Sequence, residues 1–376
     1  MACASTALIV GGGIGGLAAA VALARIGVKC DVVELADAPL GASLAFSGRA
    51  AEALDELGVY RKAHETGMPF GPVSTAMSLR DTTGRIVSPG PQRPTWPGAK
   101  DNIAVYRPVF LDVLADAARA LGVTITKGIS TASTVDDESG ALVSFTNGES
   151  RSYDMIVGAD GIGSSTRAAL FPEVSPPQPS GQWSIRWMVP GPALPDEGWY
   201  VGPVGRIGFY YMPKQDLVYV PAVVDRADPT RMSKGEVFAL YTELLGSFTA
   251  PAIVELRRRL TPEADLIARP FEWILVPGPW HRGRTILIGD AAHATTAHMG
   301  MGGGMALEDA VVLAHCVASA PTLDAAYAAF MERRFARVRT VVESSVELSR
   351  LEQENAPKSE NVALLTAALG ALAQPY

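Results

Sequence analysis

The sequence predicts an α/β fold in which a Rossmann-like domain carries an inserted antiparallel β-sheet domain and a helical C-terminus. Glycine-rich or acidic motifs at residues 11–16, 158–167 and 289–310 each follow a short apolar run, as ligand-binding loops follow the parallel strands of an open α/β sheet. Between the last two motifs, aromatic residues fall on short alternating runs, which is typical of an antiparallel sheet. The expected boundaries are 1–174 for the first domain, 175–270 for the insertion, and 271–376 for the return to the first domain and the C-terminal helices.

Composition excludes several classes of function. The 376 residues carry a formal net charge of −7, which provides no basic surface for nucleic acid. Cys3, Cys30 and Cys316 show no metal-binding spacing, and neither do the five histidines, so we expect no metal site. Residues 2–24 are largely apolar but lack the basic start of a secretory signal, and no run is long enough to span a membrane. We therefore expect a cytoplasmic protein without a membrane partner.

The first motif reads as strand, tight turn and helix. An apolar run precedes the glycines, and an alanine-rich run that favours a helix follows them. Gly11 can turn sharply, Gly13 lets a pyrophosphate approach the backbone, and Gly16 lets the helix pack on the strand. Glu34 lies near the end of the next predicted strand, 29–35, where a carboxylate can accept hydrogen bonds from ribose hydroxyls. These features predict a dinucleotide site at Gly11, Gly13, Ile14, Gly15, Gly16 and Glu34.

The segment up to the second motif is predicted to elaborate the first domain. Its clearest helix has Pro108 near its first turn and Gly122 just past its end. The predicted elements are a helix at 49–58, a hairpin at 75–87 that turns at 81–84, a loop at 93–100, a helix at 106–119, strands of a small antiparallel layer at 123–126, 134–137 and 141–147, and a buried parallel strand at 155–158.

An acidic residue follows the strand in each of the two later motifs. Asp160 with Gly161, and Asp290, stand at the carboxyl ends of parallel strands, where α/β folds bind ligands. A helix N-cap is the alternative for Asp160. After Asp290, a glycine-rich loop leads into a helix whose N-terminal dipole would stabilise negative charge on a ligand. For Glu308 and Asp309, on that helix, we favour simple stabilisation of the helix dipole.

Together, the three motifs resemble those of the single-component FAD-dependent aromatic hydroxylases, the 4-hydroxybenzoate hydroxylase class, over almost the whole chain. The third motif is most similar to the branch that contains salicylate hydroxylase and hydroxynicotinate monooxygenase. The resemblance implies a non-covalent FAD that is reduced by NADH or NADPH. It further implies a flavin C4a-hydroperoxide, formed with O2, that hydroxylates a small aromatic or heteroaromatic ring such as a phenol or hydroxypyridine.

The resemblance also implies roles for individual residues. Glu34 matches the acid that binds the adenosine ribose, Arg107 the arginine beside the FAD phosphates, and Asp290 the aspartate that binds the ribitol. Arg49 and Ala297 depart from the pattern, since asparagine and proline are common at these positions. The residues matched to FAD are Glu34, Arg49, Arg107, Asp160, Gly161, Asp290, Gly300, Gly302, Gly303, Gly304 and Met305.

Hydroxylation is electrophilic, so a base or a cation that favours the substrate anion would help. The catalytic candidates are His298, Tyr210 and Arg186, with Tyr211 and Tyr219 as further candidates. Ordinary sheet packing is the alternative for the tyrosines, and a surface ion pair for Arg186.

Three other activities stay open at this point: a flavin-dependent oxidoreductase or reductase without oxygen insertion, a halogenase, and a non-enzymatic flavin redox sensor. The apolar helix expected at 361–373 fits a monomer, by packing on the main domain, or a homodimer.

Overall fold

The structure, a computed structural model, describes residues 2–36, 42–71, 78–90, 93–137 and 140–376. Its strands are β1 (Thr6–Val10), β2 (Lys29–Glu34), β3 (Ser43–Phe46), β4 (Met68–Phe70), β5 (Leu79–Arg80), β6 (Ile86–Ser88), β7 (Asn102–Tyr106), β8 (Thr124–Lys127), β9 (Thr131–Asp136), β10 (Ala141–Phe145), β11 (Ser150–Tyr153), β12 (Met155–Gly158), β13 (Gln178–Pro190), β14 (Gly198–Val201), β15 (Gly205–Met212), β16 (Leu217–Asp225), β17 (Leu266–Trp273), β18 (His281–Arg282) and β19 (Thr285–Leu287). Its helices are α1 (Ile14–Arg25), α2 (Arg49–Glu56), α3 (Tyr60–Thr66), α4 (Arg107–Ala120), α5 (Ser165–Leu170), α6 (Lys234–Gly246), α7 (Pro251–Arg259), α8 (Asp290–His293), α9 (Gly302–Ser319), α10 (Leu323–Gln353) and α11 (Lys358–Leu372). The predicted α/β fold with a helical C-terminus is confirmed.

The main sheet has the strand order β18-β19-β12-β1-β2-β8. All neighbouring pairs are parallel except the one at the edge, where β18 runs antiparallel to β19. The alanine-rich helix α1 packs against α4 and α9. Its small side chains allow close packing, and its residues from Gly16 to Leu23 are buried. Because β1, β12 and β19 are parallel neighbours, the three sequence motifs that follow them meet at one edge of the sheet.

One strand prediction was wrong. The strand expected at 123–126 was assigned to the small antiparallel layer, but β8 extends the main sheet in parallel with β2. The connection from β2 to β8 contains α4, so it forms a crossover between parallel strands. The small layer instead consists of β9, β10 and β11, and its apolar residues Val143 and Phe145 pack on Leu8 and Val33 of the main sheet.

The second large sheet has the order β17-β13-β16-β15-β14-β5-β6, which confirms the predicted antiparallel sheet in its central strands. The long strand β13 shows the two-residue alternation of a sheet with two different faces. Trp183, Ile185 and Trp187 are buried in a cluster with α6 and α7, whereas Ser184 and Arg186 point the opposite way into a cavity.

The hairpin of β5 and β6 forms one edge of this second sheet, where β5 pairs in parallel with β14. Its turn is closed by a hydrogen bond from Gly84 N to Asp81 O at 3.1 Å, as predicted for 81–84. Residues 75–77 of the predicted hairpin lie outside the described residues. The first segment of the chain therefore contributes strands to the sheet formed mainly by 178–273.

A buried ion network joins α9 to α10, and it corrects the interpretation of Glu308 and Asp309 as residues that merely stabilise the helix dipole. Both carboxylates are fully buried in α9 and bind Arg334 of α10, Glu308 at 2.6 Å and Asp309 at 2.7 Å. Asp309 also accepts a hydrogen bond from Gly289 N at 2.9 Å and lies 2.6 Å from Nε2 of His293. Burial opposes ionisation of Asp309, but His293 and Arg334 outweigh it and lower its pKa to about 2.

Two structural findings concern membrane spans and metal sites. Among the described residues, no helix is both long and apolar enough to cross a membrane. The same residues contain no cluster of His, Cys, Asp and Glu side chains that could hold a metal ion.

The ion network provides a test of the packing between α9 and α10. We expect Arg334→Leu to lower the free energy of unfolding by about 3–5 kcal/mol, because two buried carboxylates lose the arginine that they share. Arg337 still pairs with Glu308 at 2.7 Å, and His293 with Asp309 at 2.6 Å. The control is Arg350→Leu on the same helix, where the arginine side chain is 50% exposed and pairs with Glu347; its loss should stay within about 1 kcal/mol. Urea denaturation followed by circular dichroism measures both. Equal losses in the two variants would contradict the role assigned to the buried network.

Candidate active site

A continuous cavity of about 1390 Å³ lies between the carboxyl edge of the main sheet and the inner face of the second sheet. It exceeds the roughly 300–1,000 Å³ of a typical small-molecule pocket. Residues of all three motifs line one end, and side chains of β13, β14, β15 and β16 line the other. The cavity therefore has room for a large cofactor and a second ligand.

The first motif forms a tightly packed turn in front of α1. Gly11 has φ +110°, and a Cβ atom there would lie 2.3 Å from the carbonyl oxygen of Ala159. A Cβ atom on Gly16 would lie 1.9 Å from the carbonyl oxygen of Gly11. These two positions therefore require glycine for the fold itself.

Gly13 differs from its neighbours, because no atom lies within 4 Å of a Cβ built on it. With Ile14 and Gly15 it lines the cavity, and no side chain caps the N-terminus of α1 at this point. Free N–H groups and the helix dipole thus face an open space suited to a diphosphate. Glu34, which accepts a hydrogen bond from Gly12 N at 2.6 Å, lies beside this turn as predicted.

Arg107, the first residue of α4, and Asp290 of the third motif both line the cavity. Burial lowers the pKa of Arg107 while the nearby Asp290 counteracts this shift. Burial raises the pKa of Asp290, opposed by His293 and Arg107. Asp290 is exposed and lines the cavity, where its carboxylate can accept hydrogen bonds from ligand hydroxyls.

The second motif serves both the cavity and the local helix. Gly161 lines the cavity, whereas the Asp160 carboxylate accepts hydrogen bonds from Ser164 Oγ at 2.5 Å and Thr166 N at 2.9 Å. Ser164, not Asp160, is the N-cap of α5, so Asp160 supports the first turn of that helix from outside the cap position. Arg167 then joins this motif to the third by donating to Ala291 O at 2.9 Å.

The glycine loop of the third motif divides into two parts. Gly300, Gly302 and Gly303 line the cavity at the N-terminus of α9. Gly304 and Met305 do not, since a Cβ on Gly304 would meet Ala50 at 2.9 Å and Met305 is buried in the core. The cofactor contact expected for these last two residues stays a prediction. Without proline at position 297, the loop still closes through Gly300 N donating to Ala297 O at 3.0 Å.

Arg49 is not among the described residues that line the cavity. Its guanidinium stacks on Trp96 at 4.0 Å and donates to Ala373 O at 2.8 Å. It therefore holds the end of α11 in place, a role that the motif alone did not indicate.

At the far end of the cavity, the predicted candidates Arg186, Tyr210 and Tyr219 come together on the second sheet. Arg186 Nε donates to Ser184 Oγ at 3.2 Å. The buried hydroxyl of Tyr210 has no hydrogen-bond partner among the described residues, and burial raises its pKa. Tyr211 points to the opposite face, where its hydroxyl donates to Asp216 at 2.8 Å, so strand alternation excludes it from the cavity.

His298 lies between the third motif and the second sheet, with its side chain only 1% exposed. Its Nδ1 is 2.9 Å from Thr296 Oγ1, and its Nε2 is 3.3 Å from Glu352 Oε2 at an angle that is poor for a hydrogen bond. Glu352 also binds Arg206 at 2.7 Å. Burial lowers the pKa of His298, partly offset by Glu352, so the imidazole is neutral at pH 7.

Sequence reasoning missed Glu352 and Arg206, because neither belongs to a motif and α10 and β15 are far apart in the chain. It also left the position of the last helix open. The structure packs α11 on α10, and the cavity-lining residues of α11 include Asn361, Leu365 and Leu369.

Residues 4–345 of this chain match the sequence model of a protein family, the FAD binding domain family. The chain belongs to this family. The match covers all three motifs and both sheets, so the predicted FAD is confirmed as the cofactor, and the glycine turn, Arg107 and Asp290 supply groups that suit it.

Named relatives match over most of the chain. The aurachin C monooxygenase/isomerase of Stigmatella aurantiaca is 30% identical, with 93% of this chain and 91% of the relative covered. The 2-heptyl-3-hydroxy-4(1H)-quinolone synthase of Pseudomonas aeruginosa is 29% identical, with 94% and 91% covered. The crystal structure of Klebsiella pneumoniae HpxO with FAD and uric acid has the same fold, with a TM-score of 0.79, 24% identity, and 96% and 92% of the two chains covered. This protein is accordingly an FAD-dependent monooxygenase.

The open space at Gly13 provides a test of the cofactor site. We expect Gly13→Ala to fold with near-normal stability, because its Cβ meets no protein atom, but to bind FAD about 10- to 100-fold more weakly, because the methyl group takes space that the diphosphate needs. Gly235→Ala is the control, since its Cβ also meets nothing and lies in α6. Thermal unfolding and FAD titration of the apoprotein measure the two effects. Unchanged FAD affinity in Gly13→Ala would contradict this position for the cofactor.

Proposed function

We propose that the protein uses NADH or NADPH and O2 to hydroxylate a small aromatic or heteroaromatic substrate of the phenol or hydroxypyridine type. The observation that carries the proposal is the single cavity in which the FAD-binding motifs face the aromatic side of an antiparallel sheet. The relatives named above support a heteroaromatic ring, since their names or ligands include a quinolone and uric acid.

The glycine-rich turn at 11–16, Glu34, Arg107 and Asp290 would hold the FAD, with the N-terminus of α9 directed at its ring system. When bound, FAD accepts a hydride from the nicotinamide and activates O2 for transfer to the substrate. The protein's own contribution is to position the ring and to exclude water. Trp199, Phe271 and Ile267, which line the cavity, provide apolar walls suited to this.

We further propose His298 as the acceptor of the substrate hydroxyl proton. An electron-rich ring reacts better as its anion, so a neutral base next to the ring favours hydroxylation. His298 is adjacent to the glycine loop in sequence, lines the cavity and is neutral at pH 7 for the reason given above. Its Nδ1 faces Thr296 Oγ1, which itself donates to Ser345 O, so Nε2 is the nitrogen that would take up the proton. Glu352 Oε2 lies 3.3 Å from Nε2 and would stabilise the imidazolium.

The arginine and tyrosine candidates receive complementary roles. Arg186 carries a positive charge on the cavity face, where it would stabilise the substrate anion. Tyr210 would donate its unpaired hydroxyl hydrogen to a ring substituent, because its raised pKa keeps it protonated.

We also propose that 1–174 and 271–376 form the FAD-binding domain and 175–270 the substrate domain, with the β5–β6 hairpin attached to the latter. The reaction needs both, since the cavity is bounded by each of them. No observation in this arrangement favours a flavin reductase without oxygen transfer or a non-catalytic redox sensor.

The direct test measures the reaction. We expect the purified holoenzyme to show a flavin absorbance spectrum, to oxidise NADH or NADPH faster with a suitable hydroxybenzoate, hydroxypyridine or hydroxyquinoline, and to yield a product 16 Da heavier by mass spectrometry. Stimulated oxidation that yields only hydrogen peroxide with every ring in the panel would count against oxygen transfer.

The proposed base is tested through pH. We expect the acid limb of the kcat/KM profile to lie below the usual histidine range, because burial lowers the pKa of His298 and activity is lost only when that residue becomes protonated. Glu352→Gln should move the limb to still lower pH, because it removes the negative charge that favours the protonated imidazole.

His298→Asn should abolish the limb and lower kcat. Glu354→Gln is the control, since this exposed carboxylate lies two residues after Glu352 and pairs with Arg350. A limb that stays in place in Glu352→Gln, or moves to higher pH, would rule out His298 as the titrating group.

A further inference from the structure

Arg93 is a buried arginine in the cavity wall. It is 9% exposed, and its Nε and Nη1 atoms are buried with no hydrogen-bond partner in the part of the chain that the structure describes. Burial lowers its pKa. A buried guanidinium in this condition is costly unless a ligand supplies the missing acceptors.

The acids that line the described part of the cavity are already engaged elsewhere. Glu352 binds Arg206 at 2.7 Å, and Asp290 lies near Arg107 at the FAD end. Five arginines line the cavity against these two acids, namely Arg93, Arg107, Arg186, Arg206 and Arg269. The positive excess favours an anionic ligand.

The position of Arg93 in the chain indicates which ligand it serves. Arg93 enters the cavity from the segment after β6, which is the edge strand of the second sheet. The FAD-binding loops, in contrast, come from the carboxyl edge of the main sheet. Arg93 is therefore attached to the structure that faces the substrate.

We propose that Arg93 binds a carboxylate on the substrate ring, so that the protein acts on aromatic or heteroaromatic acids. This rests on the proposed function and narrows it to one chemical class. A guanidinium can form two parallel hydrogen bonds with a carboxylate, either through Nε and Nη2 or through the two terminal nitrogens. Each arrangement gives an acceptor to one of the two partnerless atoms, Nε or Nη1. The fixed fork also sets the orientation of the ring relative to the flavin end of the cavity.

Binding is tested on the oxidised holoenzyme with pairs of acids and their uncharged amides, followed by changes in flavin absorbance. The pairs are 2-hydroxybenzoate with 2-hydroxybenzamide, 6-hydroxynicotinate with 6-hydroxynicotinamide, and 4-hydroxyquinoline-2-carboxylate with its amide. We expect at least one acid to bind about 10- to 100-fold more tightly than its amide, as a charge-assisted pair would require.

Arg93→Gln should remove that preference, and Arg93→Lys should keep part of it because the charge remains while the fork is lost. Arg85→Gln is the matched control: it removes one arginine from the neighbouring hairpin, where the side chain is 80% exposed, and should keep the full preference. A preference that persists in Arg93→Gln, or a wild-type protein that binds no acid of the panel more tightly than its amide, would overturn the proposal.

The Arg93→Gln variant also shows whether Arg93 binds the substrate or a nucleotide. If Arg93→Gln weakens binding of FAD, or raises the KM for NADH or NADPH, while the acid-to-amide preference is unchanged, then Arg93 binds a nucleotide phosphate and the proposal is wrong. Tight, Arg93-dependent binding of an acid without any hydroxylated product would uphold the anion site and contradict the proposed reaction. Hydroxylation that does not depend on Arg93 would uphold the proposed reaction and contradict the anion site.

Discussion

The buried contact between Asp309 and Arg334 is the constraint on which the FAD end of the molecule depends. Asp309 holds Gly289 N and His293 on one side and Arg334 on the other. A single carboxylate thus connects the loop after β19, the helix α9 and the long helix α10. A buried charge is unfavourable without its partners. The contacts of Asp309 therefore hold the loop that contains Asp290 and the glycine turn at 300–303 in one arrangement relative to α10.

Sequence patterns predicted the parts of the site that local backbone geometry controls. Gly11 and Gly16 are recognisable because no other residue fits their positions. Glu34 is recognisable because it lies near the end of a predicted strand, and Asp290 because it follows one. The pairing of β8 was missed, since a short alternating run does not show whether its neighbour is parallel or antiparallel. Glu308 and Asp309 were misjudged for a related reason: their partner Arg334 is 25 or more residues away, and helix position alone suggested a local role.

The substrate end could be predicted only in outline. Alternation along β15 separates Tyr210 from Tyr211, but the choice of the face that lines a cavity depends on which side α6 and α7 cover. Glu352 lies in α10, Arg206 in β15 and Arg93 in the loop between β6 and β7, and they share no spacing. Their common surroundings arise from tertiary packing, which no single segment of sequence encodes.

The last helix has a consequence for how such proteins diverge. The family match ends at residue 345, yet α11 begins at Lys358 and contributes Asn361, Leu365 and Leu369 to the cavity wall. Cofactor recognition and the outer wall of the pocket are thus carried by separate stretches of chain. Replacing α11 could reshape the space available to a ring while the nucleotide motifs stay intact, so two chains with equally good family matches need not accept the same molecule.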